Sequence, residues 1–210
     1  MSDETQKTTR KDSLETKQRL VDAAERLFAE QGVDRVKLVD VSKAAGQKNR
    51  NAAQYHFGDR AGLINAVLNR HTDLIAEQRR DALEKVEQHN VTMKALVAVL
   101  VLPVVHHVRS DPNGLTFLRL NRQLVSSGDH IALSWKRTND MPEVQQLQLL
   151  MKGLMAPHSK EAMRAKMILV QCMLFHGLAN FYELMSLSEV DAFVDTLCLS
   201  IEAVLLAQHS

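Results

Sequence analysis

The chain has 210 residues, enough to bury a core and to hold either one large domain or a small one joined to a larger one. Apolar residues make up 45% and charged residues 24%, which excludes a disordered chain, and the 4% aromatic content beside abundant Leu, Ala, Val and Met favours helix over strand. A net charge of +1 excludes a strongly basic protein that holds nucleic acid by charge alone; residues 1–60 carry 12 Lys/Arg against 10 Asp/Glu, so the placement of the charges matters more than their sum.

In chain order, residues 1–12 are Thr/Lys/Glu-rich without apolar periodicity and read as a mobile arm. Helix 1 is predicted from Ser13 to Gln31, with Leu20, Ala24, Leu27 and Gln31 along one edge of its buried stripe and Val21 and Phe28 beside them. Gly32 ends it. Helix 2 is short, Leu38 to Ala45, and stops at Gly46. The polar stretch Gln47–Asn51 leads into helix 3, which ends near Phe57, and Asp59 is positioned to cap helix 4. Helix 4 carries Leu63, Ile64, Val67, Leu68, Leu74 and Ile75 in an amphipathic pattern.

Val91 to Ser110 is apolar almost all round, as a helix in the middle of a domain would be, with Pro103 expected to kink it. Asp111–Gly114 signals a turn, Leu115–Val125 a helix and Ser126–Asp129 a loop, while His130–Asp140 carries no clear pattern. Pro142 opens a helix that reaches about Ala156 and is stopped by Pro157; two long helices follow, near 160–185 and 188–207. The prediction is an all-α protein of about nine helices. It has an arm (1–12), a three-helix helix-turn-helix domain (13–62) and a larger helical domain (63–210). Cys172 and Cys198 read as reduced, buried thiols. Residues 1–13 have no apolar secretory stretch, and Ala95–Val105 is short for a bilayer, which predicts a cytoplasmic protein without a membrane partner.

The chemistry concentrates in residues 14–57. In a helix-turn-helix the second and third helices cross closely, so small residues must line the crossing, and Ser42, Ala44 and Ala45 are available. The corner needs a positive φ, which Gly46 adopts at little steric cost. The third helix must offer hydrogen-bonding side chains to base edges; Lys48, Asn49, Arg50, Asn51 and Gln54 are the exposed candidates, with Ala53, Tyr55 and Phe57 as anchors or backbone contacts.

Three ordered blocks carry a resemblance: Leu27-Phe28-Ala29-Glu30-Gln31-Gly32, Val41-Ser42-Lys43-Ala44-Ala45-Gly46, and Tyr55-His56-Phe57-Gly58-Asp59-Arg60-Ala61-Gly62-Leu63. Together they resemble the DNA-binding domain of the TetR family of transcriptional regulators, over roughly the first third of the chain. The resemblance implies that Arg50, Asn51 and Gln54 read bases or nearby phosphates, that Tyr55 and His56 form an aromatic–His pair against the DNA backbone, and that Arg60 grips a phosphate. Between Gly46 and Tyr55 the chain is one residue longer than the family's commonest pattern, and Gln47 stands where a Val usually packs; two registers for helix 3 therefore stay open.

Outside these blocks, His106 and His107 point about 100° apart on a helix and so rarely share a metal. His176 with Cys172 at i−4 has better geometry, but no third ligand is evident, so neither a metal nor a cofactor is expected. An effector pocket is expected near Val105, His106, Phe117, Trp135, Met151 and His176. Met167, Val170, Leu174, Leu178, Val194, Leu197, Ile201 and Leu205 recur at helical spacing on the last two helices, which predicts a homodimer through about 160–185 and 188–207. No nucleophile–base pair suggests an enzyme. The expectation is a ligand-responsive repressor that binds a palindromic double-stranded operator and is released by a small apolar or amphipathic effector. The alternative is a DNA-binding architectural or partner-binding protein without an effector, which would lack an internal cavity.

Overall fold

A computed structural model describes residues 2–89, 91–127 and 136–208. Among the described residues there is no strand, and helices of six residues or more run in the order α1 (Ser2–Gln31), α2 (Leu38–Ala44), α3 (Ala52–Phe57), α4 (Arg60–His89), α5 (Met93–Ser110), α6 (Gly114–Ser126), α7 (Pro142–Leu154), α8 (Lys160–Leu184) and α9 (Val190–Leu206). The chain divides into two compact units between Arg70 and His71, inside α4.

In the first unit, α1 packs on α2 and α3, and α2 packs on α3. Leu20, Ala24, Phe28, Val41, Ala53, Leu63, Ile64, Val67 and Leu68 are its buried core. The face of α1 is set by Leu20, Ala24 and Phe28; Leu27 is only half buried and Gln31 is exposed. α1 starts at Ser2 rather than Ser13, because polar residues with adequate helix propensity extend it without an apolar stripe. Gly32 and Gly46 take positive φ of 88° and 68°, as their helix-ending places require. Arg70 pairs with Asp22 and with Glu25 (3.1 Å), tying α4 to α1.

In the second unit, α6 packs on α8, α8 on α9, α9 on α5, and α5 on α6 and α7. α5 is buried along a broad face through Leu96, Val97, Val99, Val101, Val104 and Val105 while Leu102 and His106 stay exposed, with Pro103 inside it and Thr92 accepting the Ala95 amide at its start. At 18 residues α5 is longer than the Ala95–Val105 run suggests; it and α8 have the length and apolarity of a membrane span, but half of α5 is buried inside the fold. Pro142 stands at the start of α7, and the Ser159 hydroxyl accepts the Ala162 amide to begin α8. Arg119 and Arg122 on α6 both pair with Glu183 on α8, at 2.8 and 2.9 Å. Lys166 is buried and donates to the carbonyls of Leu205 (2.7 Å) and Ala207 (2.5 Å), a cation at the negative C-terminal end of α9.

The residues expected to form a dimer seam are corrected by their burial. Val170, Leu174, Leu178, Val194, Leu197, Ile201 and Leu205 are all inside the single chain's core, and Met167 is half buried. The large apolar residues left exposed here are Leu169 and Leu184 on α8, Met185 just past its end, and Leu199 and Leu206 on α9. On α4, Leu74 is likewise exposed, because the buried face runs through Leu68, His71, Thr72 and Ile75 instead.

Candidate functional site

α2 and α3 meet at one side chain. Ser42 is fully buried; its hydroxyl donates to the Leu38 carbonyl one turn back (3.1 Å) and accepts the Ala53 amide across the crossing (3.0 Å). Ala53 is also fully buried, so an amide in the first turn of α3, orphaned by helix geometry, is satisfied from α2. Ala52 and Ala53 supply the small surface on α3. The expectation that Ala44 and Ala45 line the crossing is corrected: Ala44, two residues beyond Ser42, turns to the exposed side, and Ala45 is the half-buried residue just past the end of α2. The Gly46 corner itself is as expected.

α3 begins at Ala52, after the polar stretch that leads into it. Lys48, Asn49, Arg50 and Asn51 do not lie on it but in the turns before it, because the Asn49 carboxamide accepts the Asn51 amide at 2.9 Å and holds that stretch in a non-helical bend. All four are exposed, as are Gln54 and Tyr55 on the helix. Neither Lys48 nor Arg50 has an ion-pair partner among the described residues. Tyr55 is 83% exposed and meets His56 edge-on at 5.2 Å between ring centroids, so it stands out from the core rather than anchoring in it. His56 is half buried.

The exit from α3 is equally tight. The Asp59 carboxylate accepts the Gly62 amide at 2.8 Å and caps α4, as the sequence suggests. A Cβ on Gly62 would lie 2.0 Å from the Phe57 carbonyl oxygen, so only glycine allows α4 to leave this close to α3. Arg60 donates to the Asp34 carbonyl at 3.0 Å, which fixes its position at the start of α4 while its side chain stays 38% exposed. Sequence reading missed Lys17: its ammonium sits 5.7 Å over the Phe57 ring, bringing an exposed cation from α1 to the end of α3. Its position on the polar side of α1 gave no signal, since only tertiary contact joins it to α3. The result is an exposed surface with four basic or amide side chains ahead of a short helix and Gln54 and Tyr55 upon it, donors and acceptors of the chemical type that can meet base edges and phosphates.

In the second unit, Phe117 and Met151 line a small inner cavity of about 90 Å³ between α4, α6, α7 and α8. It adjoins an open cleft of about 420 Å³ between α7 and α8, with which it shares Thr138, Gln148, Met151, Met167 and Gln171. The other expected pocket residues are placed elsewhere. Val105 and His106 border a shallow depression at the end of α5, with His106 exposed, and His176 bonds Ser126 (2.9 Å) on α6. Trp135 lies outside the described residues. The histidine that points inward is His107, whose Nε2 is 2.9 Å from Nδ1 of His71, both buried against Phe117. With Asp111 these form a compact group of three possible metal-ligand atoms, within 4.8 Å of one another. His71 stands on the buried stripe of α4, which is the signal sequence reading passed over. Cys172 and Cys198 are free and half buried, and burial beside Asp195 pushes the Cys198 thiol up.

The family model falls on the first unit. Residues 20–67 match the family described as bacterial regulatory proteins, tetR family. The chain is 38% identical over 61 residues to the HTH-type transcriptional regulator TtgR of Pseudomonas putida, covering 29% of each chain. It is 39% identical over 59 residues to the HTH-type transcriptional regulator AcrR of Shigella flexneri, covering 28% of this chain and 27% of that one. The matched segment thus spans less than a third of these relatives. Among solved structures, SmeT, the repressor of the Stenotrophomonas maltophilia multidrug efflux pump SmeDEF, superposes with a TM-score of 0.55 at 20% identity, over 89% of this chain and 91% of that one, a likeness of fold. The matched residues are those that build the Ser42–Ala53 crossing, the Gly46 corner and the Asp59 cap, and over this segment the chain is similar to the tetR family of bacterial regulatory proteins.

Proposed function

We propose that this chain is a transcriptional repressor that binds a palindromic operator as a homodimer in the cytoplasm and releases it when a small molecule enters the second unit. The observation that carries the reading is the exposed polar surface Lys48–Asn51 with Gln54, held by a buried corner in the segment that matches the family. Arg50 and Lys48 have the chemistry for guanine edges and phosphates; Asn51 and Gln54 have it for adenine. Tyr55, His56, Arg60 and Lys17 border the same surface and suit the DNA backbone.

A twofold dimer presents this surface twice, and successive major grooves on one side of the duplex are about 34 Å apart. Exposed Leu169, Leu184, Leu199 and Leu206 on α8 and α9 favour self-association through those helices, by a face other than the buried stripe. The cleft and inner cavity between α7 and α8 favour an effector over the architectural alternative. α4 contributes residues to both units, so a ligand that binds differently to two placements of α4 changes DNA affinity by that difference. The test is a mobility shift on operator DNA joined to light scattering of the free protein. Specific retardation by a dimer supports the reading; a monomer without sequence preference refutes it.

A further inference from the structure

The inner cavity carries a charge that no side chain among the described residues neutralises. Arg137 lines it, and its Nε and Nη2 are buried without a hydrogen-bond partner among the described residues. Gln171 lines the same space, with its Oε1 buried and equally unmet. Arg79 is the second guanidinium there, 6% exposed; it lies 3.9 Å from Glu143 and donates to the Leu100 carbonyl at 3.5 Å, while its Nε is unmet. Two guanidiniums thus face one carboxylate. Among the described residues neither the inner cavity nor the adjoining cleft has an Asp or Glu in its lining, whereas Lys152 and Lys160 stand at the cleft. Met151, Met155, Met163 and Met167 supply flexible apolar walls between these cationic ends.

Taking an unpaired cation out of water is strongly unfavourable, and sites that do so are completed by an anion. Burial pushes the Arg137 guanidinium down to about 10, which leaves it charged at neutral pH. We propose that the cleft takes an amphipathic acid: a carboxylate that accepts from Arg137 in the inner cavity, with an apolar body along the methionines of α7 and α8. This deepens, and rests on, the effector reading above. The combined space falls in the range of about 300–1,000 Å³ typical of small-molecule sites, so the body is that of a medium-chain or one- to two-ring acid. Arg137 lies within the stretch His130–Asp140 that has no apolar periodicity, so its pattern alone gave no hint of a binding role.

The test uses three probes with one body and different heads, decanoate, 1-decanol and decyltrimethylammonium, each titrated calorimetrically into the full chain below micellar concentration. Decanoate is expected to bind at least about tenfold tighter than the alcohol, as a charge-assisted hydrogen bond in a buried site provides. Arg137→Met should bind decanoate and decanol alike, its retained decanol binding showing that the cleft is intact, and Arg137→Lys should keep part of the preference. Equal affinities for the three heads, a preference for the cation, a carboxylate preference that survives Arg137→Met, or no binding by any probe each overturns the proposal. Operator affinity measured alongside separates the two readings. Decanoate bound through Arg137 without effect on DNA refutes the effector role and leaves the acid site standing. DNA release by an uncharged compound, with no acid bound, does the reverse.

Discussion

Ser42→Ala removes one oxygen from the centre of the DNA-binding unit. Ser42 and Ala53 are both fully buried, and the Ser42 hydroxyl is the acceptor for the Ala53 amide. The substitution leaves that amide without a partner or access to water, which costs about 1–3 kcal/mol. The Leu38 carbonyl loses a second donor but keeps its place in the α2 ladder, so its loss is minor. Alanine's better helix propensity returns roughly 0.5 kcal/mol, leaving a net loss of about 1–2 kcal/mol. In a chain of two units a single unfolding free energy is poorly defined, so amide hydrogen exchange is the better assay. The Ala53 amide is expected to exchange about 5–30-fold faster, as 1–2 kcal/mol implies, while Val170 in the second unit stays unchanged. Operator binding should weaken in parallel, because α3 and the turn before it rest on this contact. Wild-type exchange at Ala53 in the variant would refute the reasoning.

Arg50→Ala and Gln54→Ala should each cost about 1–3 kcal/mol on the specific operator and little on other DNA, whereas Arg60→Ala should weaken all sequences alike and shallow the salt dependence by about one unit; competition shifts across a salt series check both. Gly62→Ala should destabilise the first unit by about 1–3 kcal/mol, since its Cβ meets the Phe57 carbonyl at 2.0 Å. Gly153→Ala, with nothing within 4 Å of its Cβ, should stabilise α7 by about 0.5 kcal/mol, and urea titrations compare the pair. Hydrogen bonds from Arg122 and Arg119 hold the Glu183 carboxyl below the usual carboxylate range. Its contribution is therefore complete above the unfolded value of about 4.3 and lost as pH falls through the lower folded value. Wild type and Glu183→Gln should thus differ in urea midpoint at pH 6 and converge toward pH 3, whereas a constant difference contradicts the assignment.

Much of the DNA-binding unit was legible because its determinants are local. Gly32, Gly46 and Asp59 end or begin helices through their own backbone or side-chain chemistry, and the structure uses them so. The bend before α3 was not legible: the Asn49–Asn51 hydrogen bond competes with helix and leaves no periodic trace, so the pattern alone places Lys48–Asn51 on the third helix itself. Periodicity also says that a face is buried without saying against what, so the stripe from Val170 to Leu205 read as a dimer seam when it closes the chain's own core. A rotation of 100° separates exposed His106 from buried His107, and the apolar pattern around them left no way to choose. The partner of His107 is His71, 36 positions away, and only folding brings them together.

Selection of bound fragments from genomic DNA at physiological salt, followed by footprinting, tests the central claim most directly. The account predicts enrichment of a short palindrome, protected on one side of the duplex at two sites about 34 Å apart and lost on Arg50→Ala. Retention of all fragments in proportion to their length, or of none, would contradict it.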